Sequence, residues 1–210
     1  MPLELPASPL RASGKSVRSA RATPHEITGF IHAHRSALLV GMVLNTAAIS
    51  LWLVFGVGVW VRLRQASGEN LLTALYGLAF VAFITLLYGG FTAFFLLAYR
   101  DQQASDPRLL YDLTFGLLAM SGIPTAISLG AFAGLILRER HLPRRTARYA
   151  LVAVAAHVGL LASFIVTNGF FSLEGSVIIA FPVTLFAWIA ATTSRVLLSG
   201  AHSDRAGSAP

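Results

Sequence analysis

Five apolar runs of twenty residues or more, separated by short polar stretches, dominate this chain. They cover roughly 37–61, 71–99, 108–137, 148–167 and 174–198. A helix rises about 1.5 Å per residue and bilayer hydrocarbon is about 30 Å thick, so each run is long enough to cross. Hydrocarbon offers no water to a free backbone N–H or C=O, so a spanning segment must close its own hydrogen bonds. A helix does this alone. A barrel strand does it with neighbours, and then alternates apolar and polar residues over about ten positions. These runs do not alternate. The expected fold is all-α: an integral membrane bundle of five transmembrane helices, preceded by a short interfacial helix.

The charge content agrees. Only 12% of the 210 residues are charged, where a soluble domain carries about 25%. The net charge of +7 resides in tails and loops between the runs. A mostly apolar chain leaves little surface for a phosphate track, so the expected partner is the lipid bilayer and not nucleic acid. The absence of cysteine excludes disulfides, thiolate metal sites and cysteine nucleophiles. Fifteen of the sixteen basic residues are arginine, with Lys15 the exception. With abundant alanine and glycine, this is the bias of a GC-rich bacterial genome.

Residues 1–22 carry no apolar period and are expected to stay disordered, as is the tail 199–210. Positive charges in 1–22 lead into no short apolar segment of the signal-peptide kind. Thr23-Pro24-His25-Glu26 reads as a capping box with proline in the first helical position, so 23–36 is assigned to the interfacial helix. Ser67 is expected to cap the second span, Asp106-Pro107 to open the third and Pro143 the fourth. Asn168-Gly169 is expected to close the fourth, and Ser172 with Glu174 to open the fifth. Pro124 predicts a kink in the third span.

The loop between the third and fourth spans holds Arg138, Arg140, Arg144, Arg145 and Arg148 against Glu139. Juxtamembrane arginines stay cytoplasmic and meet anionic lipid headgroups. The expected location is the cell membrane, with the N-terminus outside and the C-terminus in the cytoplasm. Arg11, Lys15, Arg18, Arg21 and Arg35 pull the other way, but of these only Arg35 lies close to the first span.

Gly122, Ala126, Gly130 and Gly134 recur at intervals of four in the third span, and Ala155, Gly159 and Ser163 do so in the fourth. Small residues in a stripe let helices approach closely. These faces are expected to pack on each other; a homo-oligomer or another protein partner is the alternative use.

Polar residues inside hydrocarbon are costly and often functional. Asn45, Asp112, His157, Asn168 and Glu174 are the candidates. With five spans, Asn45, Asp112, Asn168 and Glu174 fall in one half of the membrane and His157 near its middle, so a polar cavity among them is one reading. The plainer readings are an ion pair of Asp112 with Arg108 four residues earlier, a helix–helix hydrogen bond for His157, and interhelical glue for Asn45. Asn168 then caps a helix end, and Glu174 sits favourably at a helix N-terminus. His25, His32 and His34 fit no ligand spacing beside Glu26, since His32 and His34 point to different sides of a helix. No metal and no cofactor is expected, and no catalytic motif is present.

The stretch Tyr111-Asp112-Leu113-Thr114-Phe115-Gly116-Leu117-Leu118, the following Gly122-Ile123-Pro124, the Leu142-Pro143-Arg144 turn and the segment Gly169-Phe170-Phe171-Ser172-Leu173-Glu174-Gly175 resemble multi-pass membrane proteins of actinobacteria that carry a domain of unknown function. The resemblance covers about 71–198 and implies no activity. Three functions stay open: a non-enzymatic accessory or sensing component, a small transporter or channel with a cavity near Asp112 and His157, and a membrane enzyme acting on a lipid or isoprenoid.

Overall fold

The computed structural model describes residues 23–100, 106–140, 142–166, 169–172 and 176–193, and among these the regular structure is helical throughout. Helix α1 spans Pro24–Ser67, α2 Leu71–Arg100, α3 Pro107–Met120, α4 Gly122–Glu139 and α5 Arg144–Gly159. A tight 3-10 turn, Leu160–Phe164, continues α5. Then come a single turn, α6 at Val177–Ala180, and α7 at Pro182–Thr193. The protein is an all-α helical bundle. Four of its helical stretches are long and apolar enough to cross a membrane, counting α3 with α4 as one and α5 with its 3-10 turn as another; α7 is a shorter apolar helix. The tails 1–22 and 199–210, and residues 194–198 of the fifth predicted span, lie outside the described residues.

The helix starts show how local sequence sets the elements. Thr23 and Glu26 cap α1 reciprocally: the Glu26 N–H donates to Thr23 Oγ1 at 3.3 Å and the Thr23 N–H to Glu26 Oε2 at 2.8 Å. Asp106 caps α3 by accepting from the Leu109 N–H at 2.9 Å. Helix α5 begins directly after Pro143. At α2 the expected cap is corrected. Ser67 ends α1, and Asn70 caps α2, its Oδ1 accepting from the Leu72 and Thr73 N–H groups at 2.9 and 3.0 Å. Asn70 wins because it stands directly before the first turn, where an acceptor reaches two free donors.

A separate interfacial helix does not form. Helix α1 runs unbroken for 44 residues, about 66 Å at 1.5 Å per residue, because Arg35-Ser36-Ala37 contains no breaker. Its first turns bury Ile27 and Ile31 against Leu97, Ala98 and Tyr111. Arg35 donates to the Tyr99 carbonyl at 3.3 Å, joining the start of α1 to the end of α2.

Neighbouring helices run antiparallel. Gly56 receives the Phe80 ring and Gly77 the Trp60 ring between α1 and α2. Ser128 Oγ–H donates to the Tyr76 carbonyl at 3.1 Å between α4 and α2. The core centres on an aromatic cluster of Tyr76, Phe80, Phe83, Phe132 and Trp188, with Phe132 edge-on to Trp188 at 5.2 Å.

Helix α4 packs closely on α5, and of the stripe predicted on α4 Gly122 alone makes a close approach to it among the described residues. Gly122 makes the close approach: a Cβ there would sit 2.6 Å from the His157 carbonyl oxygen. Gly130 faces open space, Gly134 meets only the Leu72 side chain, and Ala126 is half-buried. On α5 the buried face is Thr146, Ala147, Ala150, Ala153 and His157. Ala155 is exposed, Gly159 lies against the Phe181 ring, and Ser163 donates to the Leu160 carbonyl. Two small-residue faces compete on this helix, and the alanine-rich one wins.

The antiparallel order gathers Arg62, Arg64, Arg138, Arg140, Arg144, Arg145 and Arg148 at one end of the bundle, all exposed. Arg64 pairs with Glu69 there and lies over the Trp60 ring. The opposite end holds Arg35, Arg100 and Arg108.

Candidate functional site

Three helix interruptions border one cavity. Helix α3 stops and α4 starts at Ser121, three residues before Pro124. Proline has no N–H for the carbonyl four residues earlier, here Met120, and its ring crowds that carbonyl. Helix α5 tightens into its 3-10 turn at Leu160. Phe181 separates α6 from α7, with Pro182 in the first position of α7. Ser121, Leu160 and Pro182 all line a cavity of about 360 Å³, within the usual size of small-molecule sites.

Carbon makes most of its wall. Trp52 from α1, Phe83 and Phe91 from α2, Leu118 from α3 and Leu185 from α7 are among its lining residues. Trp52 stacks near Phe83 at 6.2 Å and meets Phe186 edge-on at 5.1 Å. Asn45, Ala48 and Phe186 line the cavity and are also exposed on the outer surface. The cavity therefore opens sideways between α1 and α7, toward the zone that lipid would occupy.

Three polar side chains reach this wall: Asn45, Ser121 and His157. His157 is only 2% exposed. Its Nδ1 lies 2.7 Å from the Ala153 carbonyl of its own helix. A carbonyl only accepts, so Nδ1 carries the hydrogen and Nε2 is the nitrogen left over. No bond from His157 to a neighbouring helix is made among the described residues. Ser121 Oγ–H donates to the Leu118 carbonyl at 2.7 Å. The Asn45 amide makes no hydrogen bond among the described residues.

Of the five residues proposed from sequence for a polar cavity, the structure brings Asn45 and His157 together. Asp112 does not join them. It accepts from Arg108 Nε at 2.9 Å, with 44% of its side chain exposed, as the four-residue spacing anticipates. Asn168 and Glu174 lie outside the described residues. Sequence reasoning did not assign Ser121, Trp52 or Phe186 to a site; the signal for Ser121 was present in Pro124, whose break falls at that residue. Five further buried polar atoms, Trp60 Nε1, Ser67 Oγ, Tyr76 Oη, Trp188 Nε1 and Thr192 Oγ1, have no partner among the described residues. Tyr76 and Trp188 sit in the aromatic core.

Chemically, the described wall offers no carboxylate, amine or thiol. It offers an apolar volume, one buried imidazole nitrogen and one amide at the mouth. The chain matches no protein-family model, no curated protein and no solved structure.

Proposed function

We propose that this chain is a non-enzymatic multi-pass protein of the cell membrane, an accessory or sensing component that takes a small apolar molecule from the bilayer into the cavity behind Asn45. The observation that carries the reading is the sideways mouth of a carbon-walled cavity set among interrupted helices. An enzyme acting on a lipid or isoprenoid by acid chemistry needs at least two convergent acidic groups, and the described wall supplies none. A transporter is the second reading. The breaks at Ser121 and Phe181 favour it, because carriers bind their cargo where spans are discontinuous.

The seven arginines at one end support a cytoplasmic placement of that end, against anionic headgroups. The start of α1 then lies outside. The chain lacks cysteine, so single cysteines report the side directly. Ala33→Cys reacts with an impermeant maleimide in intact cells, and Ala66→Cys only after permeabilisation. The reverse pattern overturns the orientation.

The cavity reading is tested with a hydrocarbon carrying a diazirine, partitioned into nanodiscs with the purified protein and photoactivated. Mass spectrometry should find label on Ile49, Phe83, Leu160 and Leu185, which are at most 4% exposed and out of reach of bulk lipid. Label confined to outer residues such as Val40, Val43, Leu51 and Val54 would sink it.

A further inference from the structure

The cavity has a chemical asymmetry that an apolar guest alone does not use. His157 is almost wholly buried, and its Nδ1–H is spent on the Ala153 carbonyl. Its Nε2 has no partner among the described residues, and the ring lines the cavity. In the neutral ring, that nitrogen is an acceptor. Asn45 lines the same cavity from α1 at the mouth, and its amide makes no hydrogen bond among the described residues. A polar group left unpaired in hydrocarbon is expensive, and two on one cavity wall are answered together by one guest.

We infer that the guest is a neutral lipid bearing a hydroxyl, with its chain between Trp52, Leu118 and Phe186 and its O–H donating to His157 Nε2. The inference rests on the cavity reading above. A hydroxyl is the smallest neutral group that fits both partners. It donates one hydrogen bond, which Nε2 needs, and its oxygen accepts from the Asn45 amide. A ketone or ester has no hydrogen to give the imidazole. A phosphate or ammonium headgroup would bring charge to a wall with no opposite charge, and an unpaired charge in such surroundings costs far more than one hydrogen bond returns. The hydroxyl therefore selects among neutral lipids, while the carbon wall supplies most of the affinity.

The test compares two diazirine probes of equal chain length, a primary alcohol and its methyl ether, in nanodiscs with the full-length protein. The alcohol should label Leu160 and Leu185 about three- to tenfold more efficiently at subsaturating concentration, the range of one net hydrogen bond. In His157→Leu, interior labelling by the ether should persist and the alcohol's advantage should vanish. Equal labelling by both probes in the wild-type protein overturns the hydroxyl proposal and leaves the cavity reading standing. Labelling of the interior by neither probe overturns both. An advantage that survives in folded His157→Leu removes His157 as the acceptor and overturns the assignment. The wild-type comparison needs no variant, so a misfolded His157→Leu does not rescue the proposal.

Discussion

Gly122 and Gly130 belong to one four-residue stripe, yet the structure gives them opposite fates. At Gly122, α4 comes so close to α5 that an added Cβ would lie 2.6 Å from the His157 carbonyl oxygen, where ordinary contact begins at 3.4 Å. The obstacle is backbone, which cannot swing away as a flexible side chain would. The Gly122→Ala variant must therefore part the two helices by most of an ångström or tilt α4. Overpacking of this kind costs about 1–3 kcal/mol. At Gly130 nothing lies within 4 Å of the added methyl, and removing a mid-helix glycine recovers up to about 1 kcal/mol. The two alanine variants should thus differ by about 1–4 kcal/mol, with opposite signs against the parent. The assay is the folded fraction across an SDS titration of purified protein in mixed micelles. If Gly122→Ala is as stable as the parent, the close approach is wrong. If Gly130→Ala loses as much as Gly122→Ala, the whole stripe packs and the placement of α4 fails.

The caps separate in the same assay. Asn70→Ala should lose about 1 kcal/mol, because two N–H groups at the start of α2 lose their acceptor. Ser67→Ala should be neutral or slightly stabilising, since Ser67 Oγ is buried with no partner among the described residues. Asp112→Asn should cost about 0.5 kcal/mol or less and leave interior photolabelling unchanged, because Asp112 pairs with Arg108 away from the cavity; a severalfold loss of labelling would return Asp112 to the site. Pro124→Ala should restore a donor for the Met120 carbonyl, draw α3 and α4 into one helix and raise SDS resistance by about 1–3 kcal/mol. It should also cut interior labelling severalfold by moving Ser121 off the cavity wall, and unchanged labelling would separate the break from the site.

The spans were legible because hydropathy over twenty residues is a sum, and sums are robust to single residues. The helix starts at Thr23 and Asp106 were legible because a short acceptor side chain before a proline has few other uses. The continuity of α1 through Arg35 was not: polarity marks where lipid ends, but only a glycine, a proline or a competing hydrogen bond ends a helix. The face of α5 was not legible either. Two small-residue stripes run along it, and which one packs depends on the shape α4 presents. The Arg108–Asp112 pair could be read because it is local. The meeting of Asn45 with His157 depends on α1 and α5 sharing one cavity, which no local pattern encodes.

The placement of Pro124 bears on why the cavity exists. Proline in a helix interior costs about 3 kcal/mol, through a lost hydrogen bond and a clash with the preceding turn. Hydrocarbon makes the freed carbonyl harder to satisfy. A bundle selected only for stability would carry no such residue, or would scatter a few where packing tolerates them. Here the break caused by Pro124 places Ser121 on the cavity wall, and Pro182 lines the same cavity from the tolerated first position of α7. Asn45 and His157, each costly in its own way, share that wall. Local rules broken together at one place, and kept along most of the rest of the four long stretches, mark a position where stability is given up for something else. A binding cavity explains Pro124, Asn45 and His157 at once. Separate structural reasons would have to be found for each, and would have to coincide.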